Sequence, residues 1–468
     1  MKYMVFLCCF LLPACSLIST QGYGDPDTRF PDRFSGSAPA GSREIVWKQS
    51  FPDNALESDI QMLTRDNFEI SAARARVEQA AAEYHISRSA LFPSLEAGAD
   101  FERSRVRQNL RNSTDSLISF GSLLNWEPDI WGRLRRKKEA ADLTLAARKE
   151  TVKDIALNLQ TLLVEAWVAH HGARRLEKVL TDLQTTNLDF LNLTELRLLR
   201  GYGNSLDVLR QRGRLKAVKR ELQPVISQKS RTANAYAVLL GHMPGHIQMT
   251  PAPWTDIAPL PVLPTPASLL NSRPDLRAAF LSLRAADQQV AAAVADRLPK
   301  IAIGLDYSLT GTALSGIGDS SILTFTSGLL APVFDAGKRM AAVSRRRAQA
   351  REALADMEQA MLNAVQEVEN GLSRESSLLE ELALLAGEIK TAEQTVENAR
   401  FQYVKGREDY LTVLDALEKF QTLLQLEITL EQEAALNRAR LLKALGASWN
   451  VKATTGQSTN GKIKNEAD

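Results

Sequence analysis

The sequence predicts a mixed α and β fold in which long antiparallel coiled-coil helices form most of the chain and four strands contribute to a shared membrane barrel. Apolar residues recur at coiled-coil spacing over stretches far longer than a compact globule needs. Two shorter segments alternate between apolar and polar residues, which is typical of strands between oil and water. The same order of elements occurs twice, at an offset of about 205 residues.

The first residues have the pattern of an export signal. Residues 1–14 combine Lys2 with an apolar run that is too short to span a bilayer as a helix, because that needs ~20 residues. The run ends in Leu12-Pro13-Ala14-Cys15, which resembles a bacterial lipobox, so we expect cleavage before Cys15 and a lipid anchor there. An ordinary signal peptide with incidental cysteines is the alternative. Residues 15–54 are rich in Gly, Pro, Ser and Asp and predict a lipid-anchored N-terminal tether.

An internal repeat divides the rest of the chain. Repeat 1 covers residues 55–245 and repeat 2 covers 267–449, with a proline-rich crossing over 246–266. A polar tail over 450–468 is expected to be disordered. The segments that correspond at an offset of 205 or 206 are Asn67–Ile70 with Arg273–Leu276, Leu91–Ser94 with Arg297–Lys300, Trp131–Arg133 with Ala336–Lys338, and Gly201 with Gly406.

Each repeat begins with an alanine-rich helix and a strand pair. We expect the helices over 55–90 and 267–296, each ending before a proline, since the residue before proline avoids helical backbone angles. The β-hairpins are expected over 94–127 and 300–331. Their first strands alternate cleanly, and their apolar faces carry Leu95, Ala97, Ala99 and Phe101 in repeat 1 and Ile301, Ile303, Leu305, Tyr307 and Leu309 in repeat 2. The return strands alternate less cleanly.

A long helical hairpin completes each repeat. The apolar series, at spacings of three and four, run from Val152 to Phe190 through Leu159, Leu162 and Asn187, and from Ala350 to Tyr403 through Glu375 and Leu378. A helix over about 133–199 would be on the order of 100 Å long at 1.5 Å per residue, which suits a tube or stalk. We expect each long helix to end at a glycine turn, near 201–204 and 406–409, before a second helix returns.

Four strands in one chain are too few to close a membrane barrel. Known barrels have at least eight strands, and an open sheet in lipid would leave the backbone groups of two edges without hydrogen bonds. Several copies must therefore share one barrel. Its polar face would line a water-filled lumen and its apolar face would meet lipid.

Composition and motifs argue against catalysis. A formal net charge of +2 in 468 residues does not indicate nucleic acid or another polyanion as a partner. All three cysteines lie in the first fifteen residues, so the rest of the chain can form no disulfide and no thiolate metal site. The sequence contains no phosphate-binding loop and no nucleophile elbow. We expect no enzyme and no cofactor besides the N-terminal lipid anchor, which agrees with a passive conduit.

Several segments together resemble a known family. They are the lipobox, Ala90–Ser94, Asn125–Arg133, Ser272–Ala279, Pro332–Gly337 and Lys443–Trp449. In this order, and with the repeat, they resemble the TolC-like outer-membrane factors, in the lipoprotein branch that serves RND-type efflux pumps and is often called the NodT or OprM group. The resemblance covers nearly the whole mature chain.

The resemblance implies a homotrimer with a twelve-stranded transmembrane β-barrel and an α-barrel of about a dozen helices. It implies a lipid-anchored location in the bacterial outer membrane, with the helices extending into the periplasm. The chain would dock to a periplasmic membrane fusion adaptor and an inner-membrane RND transporter. It would then export small molecules, such as drugs and toxic compounds, across the outer membrane.

The resemblance also implies functional residues at the helix tips. The turns at Gly201 and Gly406 would form the periplasmic end, closed at rest and opened through the adaptor. The charged residues that flank the turns, and that could pair with carboxylates of the adaptor or of a neighbouring subunit, are Arg197, Arg200, Arg400 and Lys405. Solvated charges near helix C-termini, where cations are favoured, are the alternative.

Leu411 and Asp415 match positions that form constricting rings in this family. They lie four residues apart and share a helix face just past the second turn. Repeated by symmetry, Leu411 would form an apolar collar and Asp415 an acidic ring that favours cations. The alternatives are a coiled-coil core position for Leu411 and an ordinary surface charge for Asp415.

Two other functions stay open at this point. A conduit for type I protein secretion would have the same architecture, although the lipobox argues against it. A structural periplasmic coiled-coil lipoprotein without a pore is the second alternative, and the amphipathic strand pairs at matching positions of the two repeats argue against that one.

Overall fold

The computed structural model describes most of the two predicted repeats. The described residues are 33–35, 47, 50–108, 111–245, 249, 263, 265–318 and 320–447. Cys15, the signal peptide, the tail, and most of the tether and of the proline-rich crossing lie outside the described residues.

The two halves of the chain contain matching helices and strands. The first half has α1 Asn54–Asp66, α2 Phe68–Ser89, β1 Ser94–Gln108, β2 Arg111–Trp126, α3 Arg133–Leu199 and α4 Ser205–Leu239. The second half has α5 Leu269–Ser272, α6 Pro274–Ala295, β3 Lys300–Gly311, β4 Ser320–Leu330, α7 Lys338–Val404 and α8 Tyr410–Ala444. Short 3₁₀ turns lie at Pro266–Ser268 and Leu314–Gly316.

The helical hairpins of the two halves have equal dimensions. Helices α3 and α7 have 67 residues each, and α4 and α8 have 35 each. The first residues of α7 and α8 lie 205 positions after those of α3 and α4. No helix in the described ranges is both long and apolar enough to cross a membrane.

The expectation of one continuous helix over 55–90 is wrong, because Asn67 interrupts it. Asn67 has an extended backbone (φ −67°, ψ 131°). Its side-chain Oδ1 accepts hydrogen bonds from the N–H groups of Glu69 and Ile70 at 2.8 and 3.3 Å, which caps the start of α2. Its Nδ2 donates to the backbone oxygen of Leu239 at 2.9 Å, so the same side chain also binds the end of α4.

The expected helix over 267–296 is interrupted at the corresponding place for a different reason. Arg273 has an extended backbone (φ −88°, ψ 120°), and Pro274 is the first residue of α6. The proline ring excludes helical angles at the preceding residue, while its own fixed φ suits the first turn of a helix.

The four strands form one antiparallel sheet in the order β1-β2-β3-β4. The two hairpins meet through β2 and β3, from Ile118 opposite Gly311 to Trp126 opposite Ile303. In the described part of the chain, β1 and β4 each pair with a single strand. The sheet therefore has two open edges with unpaired backbone groups.

One face of this sheet, here called the apolar face, is hydrophobic across all four strands. Leu95 lies opposite Leu124, Leu124 opposite Leu305, and Leu305 opposite Phe325, so their side chains form one row. The next row lies on the other, polar face and contains Glu96, Leu123, Asp306 and Thr324. The return strands, which looked irregular in the sequence, thus add their large apolar residues mainly to the face that β1 and β3 define.

The apolar core of the helical hairpins follows the predicted seams with one correction. Val368 and Leu378 of α7 and Leu159 of α3 are buried as predicted. Leu162 is 48% exposed, so its assignment to the seam is wrong, and Leu163 is buried instead. Around the helix axis, Leu163 is four residues from Leu159 and lies about 40° from it, whereas Leu162 is three residues away and lies about 60° from it in the other direction. Leu163 is therefore closer to the buried face that contains Leu159.

A buried ion pair lies in the seam of the second hairpin. Glu375 of α7 and Arg438 of α8 are each 1% exposed. Arg438 Nε donates to Glu375 Oε1 at 3.0 Å, and Asn437 Nδ2 donates to Oε2 at 2.8 Å. A carboxylate needs such partners to be stable in an apolar seam.

Candidate functional site

The two turns that end the long helices have the same backbone geometry. Gly201 has φ +80° and Gly406 has φ +72°, the left-handed region that favours glycine. Gly201 and Tyr202 donate back to carbonyl groups of α3 at 3.0 and 2.9 Å. Gly406 and Arg407 donate to carbonyl groups of α7 at 3.0 Å each. Both turns are Schellman caps, which reverse the chain in few residues and satisfy the last helical carbonyls.

Buried hydrogen bonds connect three helices near these turns. Gln211 of α4 donates through Nε2 to the backbone oxygen of Asn187 in α3 at 2.6 Å and to its side-chain oxygen at 3.1 Å. The hydroxyl of Tyr410, the first residue of α8, donates to Gln211 Oε1. Asn187 and Gln211 are fully buried, and Tyr410 is nearly so. Burial raises the pKa of Tyr410, so its hydroxyl stays protonated and remains a donor.

Arg197 connects the end of α3 to the end of α7. Its Nη1 donates to the backbone oxygen of Tyr403 at 2.7 Å, and its guanidinium carbon lies 4.3 Å from the centroid of the Tyr403 ring. Its Nη2 donates to the backbone oxygen of Tyr202 at 3.4 Å. The charge of Arg197 is thus engaged by carbonyl groups and a ring of its own chain. This differs from both sequence interpretations, pairing with a partner's carboxylate and simple solvation.

Together these contacts form a continuous set, which we call the tip network: Asn187, Arg197, Gln211, Tyr403 and Tyr410. The rings of Tyr403 and Tyr410 complete it, with centroids 5.6 Å apart. The tip network joins α3, α4, α7 and α8. The two hairpins cannot separate at their tips without breaking it.

An apolar cluster surrounds the two tyrosines of the tip network. It contains Phe190, Val413 and Leu417, all at most 5% exposed. Water is therefore excluded from most of the network, which strengthens its hydrogen bonds.

The other predicted charged residues at the tips are exposed. Arg200 lies at the cap of α3, and its side chain has neither a hydrogen bond nor an ion pair to the described residues. The guanidinium carbon of Arg400 lies 5.8 Å from the ring centroid of Phe190. Lys405 Nζ lies 5.2 Å from the ring centroid of Phe401. The side chains of these three cations remain available to a partner, whereas the side chain of Arg197 already binds carbonyl groups of its own chain.

Leu411 and Asp415 lie on an exposed face of α8. Leu411 is 46% exposed, so it is not a core residue of its own helical hairpin. Asp415 is also exposed. Val413 and Leu417, on the opposite face, supply the packing. Both candidate ring residues therefore point away from the core of their own hairpin.

Sequence reasoning missed two features of the tips. It gave no role to Gln211 or Tyr410, although Asn187 within an apolar series was a signal that a polar partner faces it. It also overlooked apolar side chains at the first turn: Leu199 is 84% exposed, Tyr202 76% and Leu209 62%. Among the residues that the structure describes, no group of three or more His, Cys, Asp or Glu could hold a metal ion.

Comparison with known proteins gives consistent matches over nearly the whole chain. The profile of a family described as "Outer membrane efflux protein" matches residues 60–242 and again 265–447, together more than three quarters of the chain. The chain is 28% identical over 420 residues to the pyoverdine export outer membrane protein OpmQ of Pseudomonas putida, covering 87% of this chain and 89% of that protein. It is 27% identical over 459 residues to the outer membrane protein OprJ of Pseudomonas aeruginosa, covering 94% of both.

A solved structure has the same fold. The outer-membrane channel OprN superimposes with a TM-score of 0.83 at 27% sequence identity, and the match covers 91% of this chain and 99% of the other.

Proposed function

We propose that this chain, which belongs to the outer membrane efflux protein family, is the outer-membrane channel subunit of an efflux system and carries out no catalysis. The observation that carries this proposal is the four-stranded sheet with one apolar face and two open edges. A sheet of this kind can be stable in lipid only as part of a closed barrel.

The barrel is formed by three copies of the chain. Strand β1 of each subunit would pair with β4 of the next and close a ring of twelve strands, above the minimum of about eight for a membrane barrel. The apolar face meets lipid. The polar face lines the lumen and brings Glu96 and Asp306 to it. The paired helical hairpins of three subunits continue the lumen as an α-barrel in the periplasm.

The tips of the hairpins form the periplasmic gate. The tip network holds the two hairpins of a subunit together in the resting state. Leu411 and Asp415 are exposed on α8. The three copies of Leu411 form an apolar collar around the lumen that resists wetting, and the three copies of Asp415 form an acidic ring that favours cations. The two Schellman turns, at Gly201 and Gly406, end the tube.

The channel works with partners and is anchored by lipid. Acylation at Cys15 attaches the N-terminus to the outer membrane. A periplasmic adaptor contacts the tips through the exposed cations Arg200, Arg400 and Lys405, and an inner-membrane RND transporter supplies the energy and selects small molecules for export. The lipobox favours this assignment over a conduit for type I protein secretion.

Two measurements test the proposal. Purified protein reconstituted in planar lipid bilayers should give discrete ion-conducting channels, and a structural rod would give none. Affinity purification from crosslinked cells should recover an adaptor and an RND transporter. Recovery of an ABC transporter in its place would refute the efflux assignment, and a detergent-free soluble monomer would refute the barrel.

A further inference from the structure

Among the strand residues whose side chains the structure describes, two arginines lie on the apolar face of the sheet, at its end next to the hairpin loops. Side chains alternate along a strand, so Arg103 and Arg105 of β1 point to the same side as Phe101. Both are exposed, and neither side chain has a hydrogen bond or an ion pair within the described ranges. Their cross-strand neighbours, Ser116 and Thr114, are neutral.

The carboxylates of the same strands point the other way. Glu96, Asp100 and Glu102 of β1 and Asp306 of β3 lie on the polar face. These carboxylates therefore lie on the face opposite the two arginines, and Lys300, at the far end of β3, lies on that polar face as well. No acidic residue of the paired strand positions is placed to neutralise the two arginines.

The height of the apolar belt locates the arginines relative to a membrane. This belt is the part of the apolar face whose rows carry mainly apolar side chains. It begins at the row of Ile301 and Leu329 and ends at the row of Phe101, Ile118 and Gly311. Ten residue steps along β3 at about 3.3 Å give roughly 33 Å along the strand. A strand tilt of about 40° reduces this to a height of roughly 25 Å, the thickness of the apolar band of outer-membrane barrels.

The first arginine follows immediately beyond this band. Arg103 lies two residues, and Arg105 four residues, past Phe101 on the same strand face. With the same rise and tilt, they stand roughly 5 and 10 Å beyond the hydrocarbon. That is the depth of lipid headgroups, and it is on the side away from the helices.

We propose that Arg103 and Arg105 bind the phosphate groups of anionic lipids at the outer surface of the membrane. This inference rests on the proposed function, because it requires the apolar face to meet lipid. A guanidinium group can donate two parallel hydrogen bonds to one phosphate. Because the two arginines are two residues apart on one strand, both side chains face the same lipid layer. The contact fixes the depth and tilt of the barrel at its outer end.

The test measures lipid binding by the assembled channel. Native mass spectrometry of detergent-solubilised protein counts bound lipids during titration with phosphatidylglycerol, and with zwitterionic phosphatidylcholine as the comparison probe. An arginine near an anionic lipid surface strengthens binding about fivefold. The Arg103→Gln, Arg105→Gln double variant should therefore bind phosphatidylglycerol roughly 30-fold more weakly, with phosphatidylcholine binding unchanged.

A matched control has the same change of charge elsewhere. Arg220→Gln with Arg231→Gln neutralises two exposed arginines of α4 and should bind both lipids as the wild type does. The Arg103→Lys, Arg105→Lys double variant keeps the charge but loses the bidentate geometry, so its phosphatidylglycerol binding should fall between that of the wild type and that of the glutamine variant.

Separate outcomes distinguish this inference from the proposed function. If the wild type forms channels in bilayers but the glutamine variant retains phosphatidylglycerol normally, the lipid site is refuted and the channel assignment stands. Unchanged lipid binding together with a less stable trimer would also refute it, and would assign the arginines to a subunit contact. Absence of channels from the wild type would refute the proposed function itself.

Discussion

Replacing Arg197 with glutamine should open the tip of the channel. The variant loses the charged hydrogen bond to the backbone oxygen of Tyr403 at 2.7 Å and the contact with the Tyr403 ring at 4.3 Å. The charged hydrogen bond contributes ~1.5–3 kcal/mol and the cation–π contact ~0.5–1 kcal/mol. Arg197 is only partly buried, and solvent weakens both contacts, so together they stabilise the closed tip by about 2 kcal/mol per subunit. That corresponds to a shift of roughly 30-fold in the equilibrium between closed and open tips.

Single-channel recording in planar bilayers measures this shift directly. Arg197→Gln should raise the open probability or the conductance at fixed voltage, while thermal unfolding in detergent should show that the barrel is still assembled. Arg200→Gln is the matched control, because it removes the same charge three residues away, where no contact within the described residues is lost. If the two variants conduct alike, Arg197 does not hold the tip closed and the reasoning is wrong.

Three further predictions concern other parts of the helical region. Asp415→Ala should lower the preference for cations over anions in reversal-potential measurements, and unchanged selectivity would remove Asp415 from the lumen. Glu375→Gln should lower the free energy of unfolding by ~3–5 kcal/mol because it leaves Arg438 buried without a counter-charge, whereas Glu375→Leu with Arg438→Met should recover most of the loss in thermal unfolding. Burial lowers the pKa of His171 to about 4, so between pH 6.5 and 4 the unfolded chain binds a proton that the folded chain does not. Stability should therefore fall as the pH drops through this window, and less so in His171→Phe; equal pH profiles would contradict this.

Patterns that repeat along one element could be predicted from the sequence, because they depend only on local geometry. The glycine at the end of each long helix and the alternation of β1 and β3 are of this kind. The break at Asn67 could not be predicted in the same way. An asparagine fits either the interior or the start of a helix in a sequence pattern, and besides its local cap on α2 the extended backbone has a contact with Leu239, more than 170 positions away, that no local pattern reveals.

The composition of the tip network shows a second limit of sequence reasoning. Periodicity identifies which side of a helix is buried but not how two helices are shifted along each other. Whether Gln211 faces Asn187 or an apolar residue depends on that shift. Arg197 is a similar case, since its long side chain reaches a neighbouring helix that the pattern around it does not reveal. The polar residue inside the apolar series was the one signal available.

In the proposed channel, the tips differ from the rest of the hairpins because polar contacts as well as apolar packing hold them together. Farther from the turns, α7 and α8 are held by leucines of an apolar cluster that includes Leu378, Leu385 and Leu423. Exposing one such side chain costs about 1.5–3 kcal/mol, because water offers it no compensating interaction. A neutral hydrogen bond of the tip network can be exchanged for one to water or to an adaptor at a net cost of about 0.5–1.5 kcal/mol. In the proposed channel, a partner that competes for these groups would replace the polar contacts of the tips, and the apolar cluster around Phe190 would then be the part that still resists their separation.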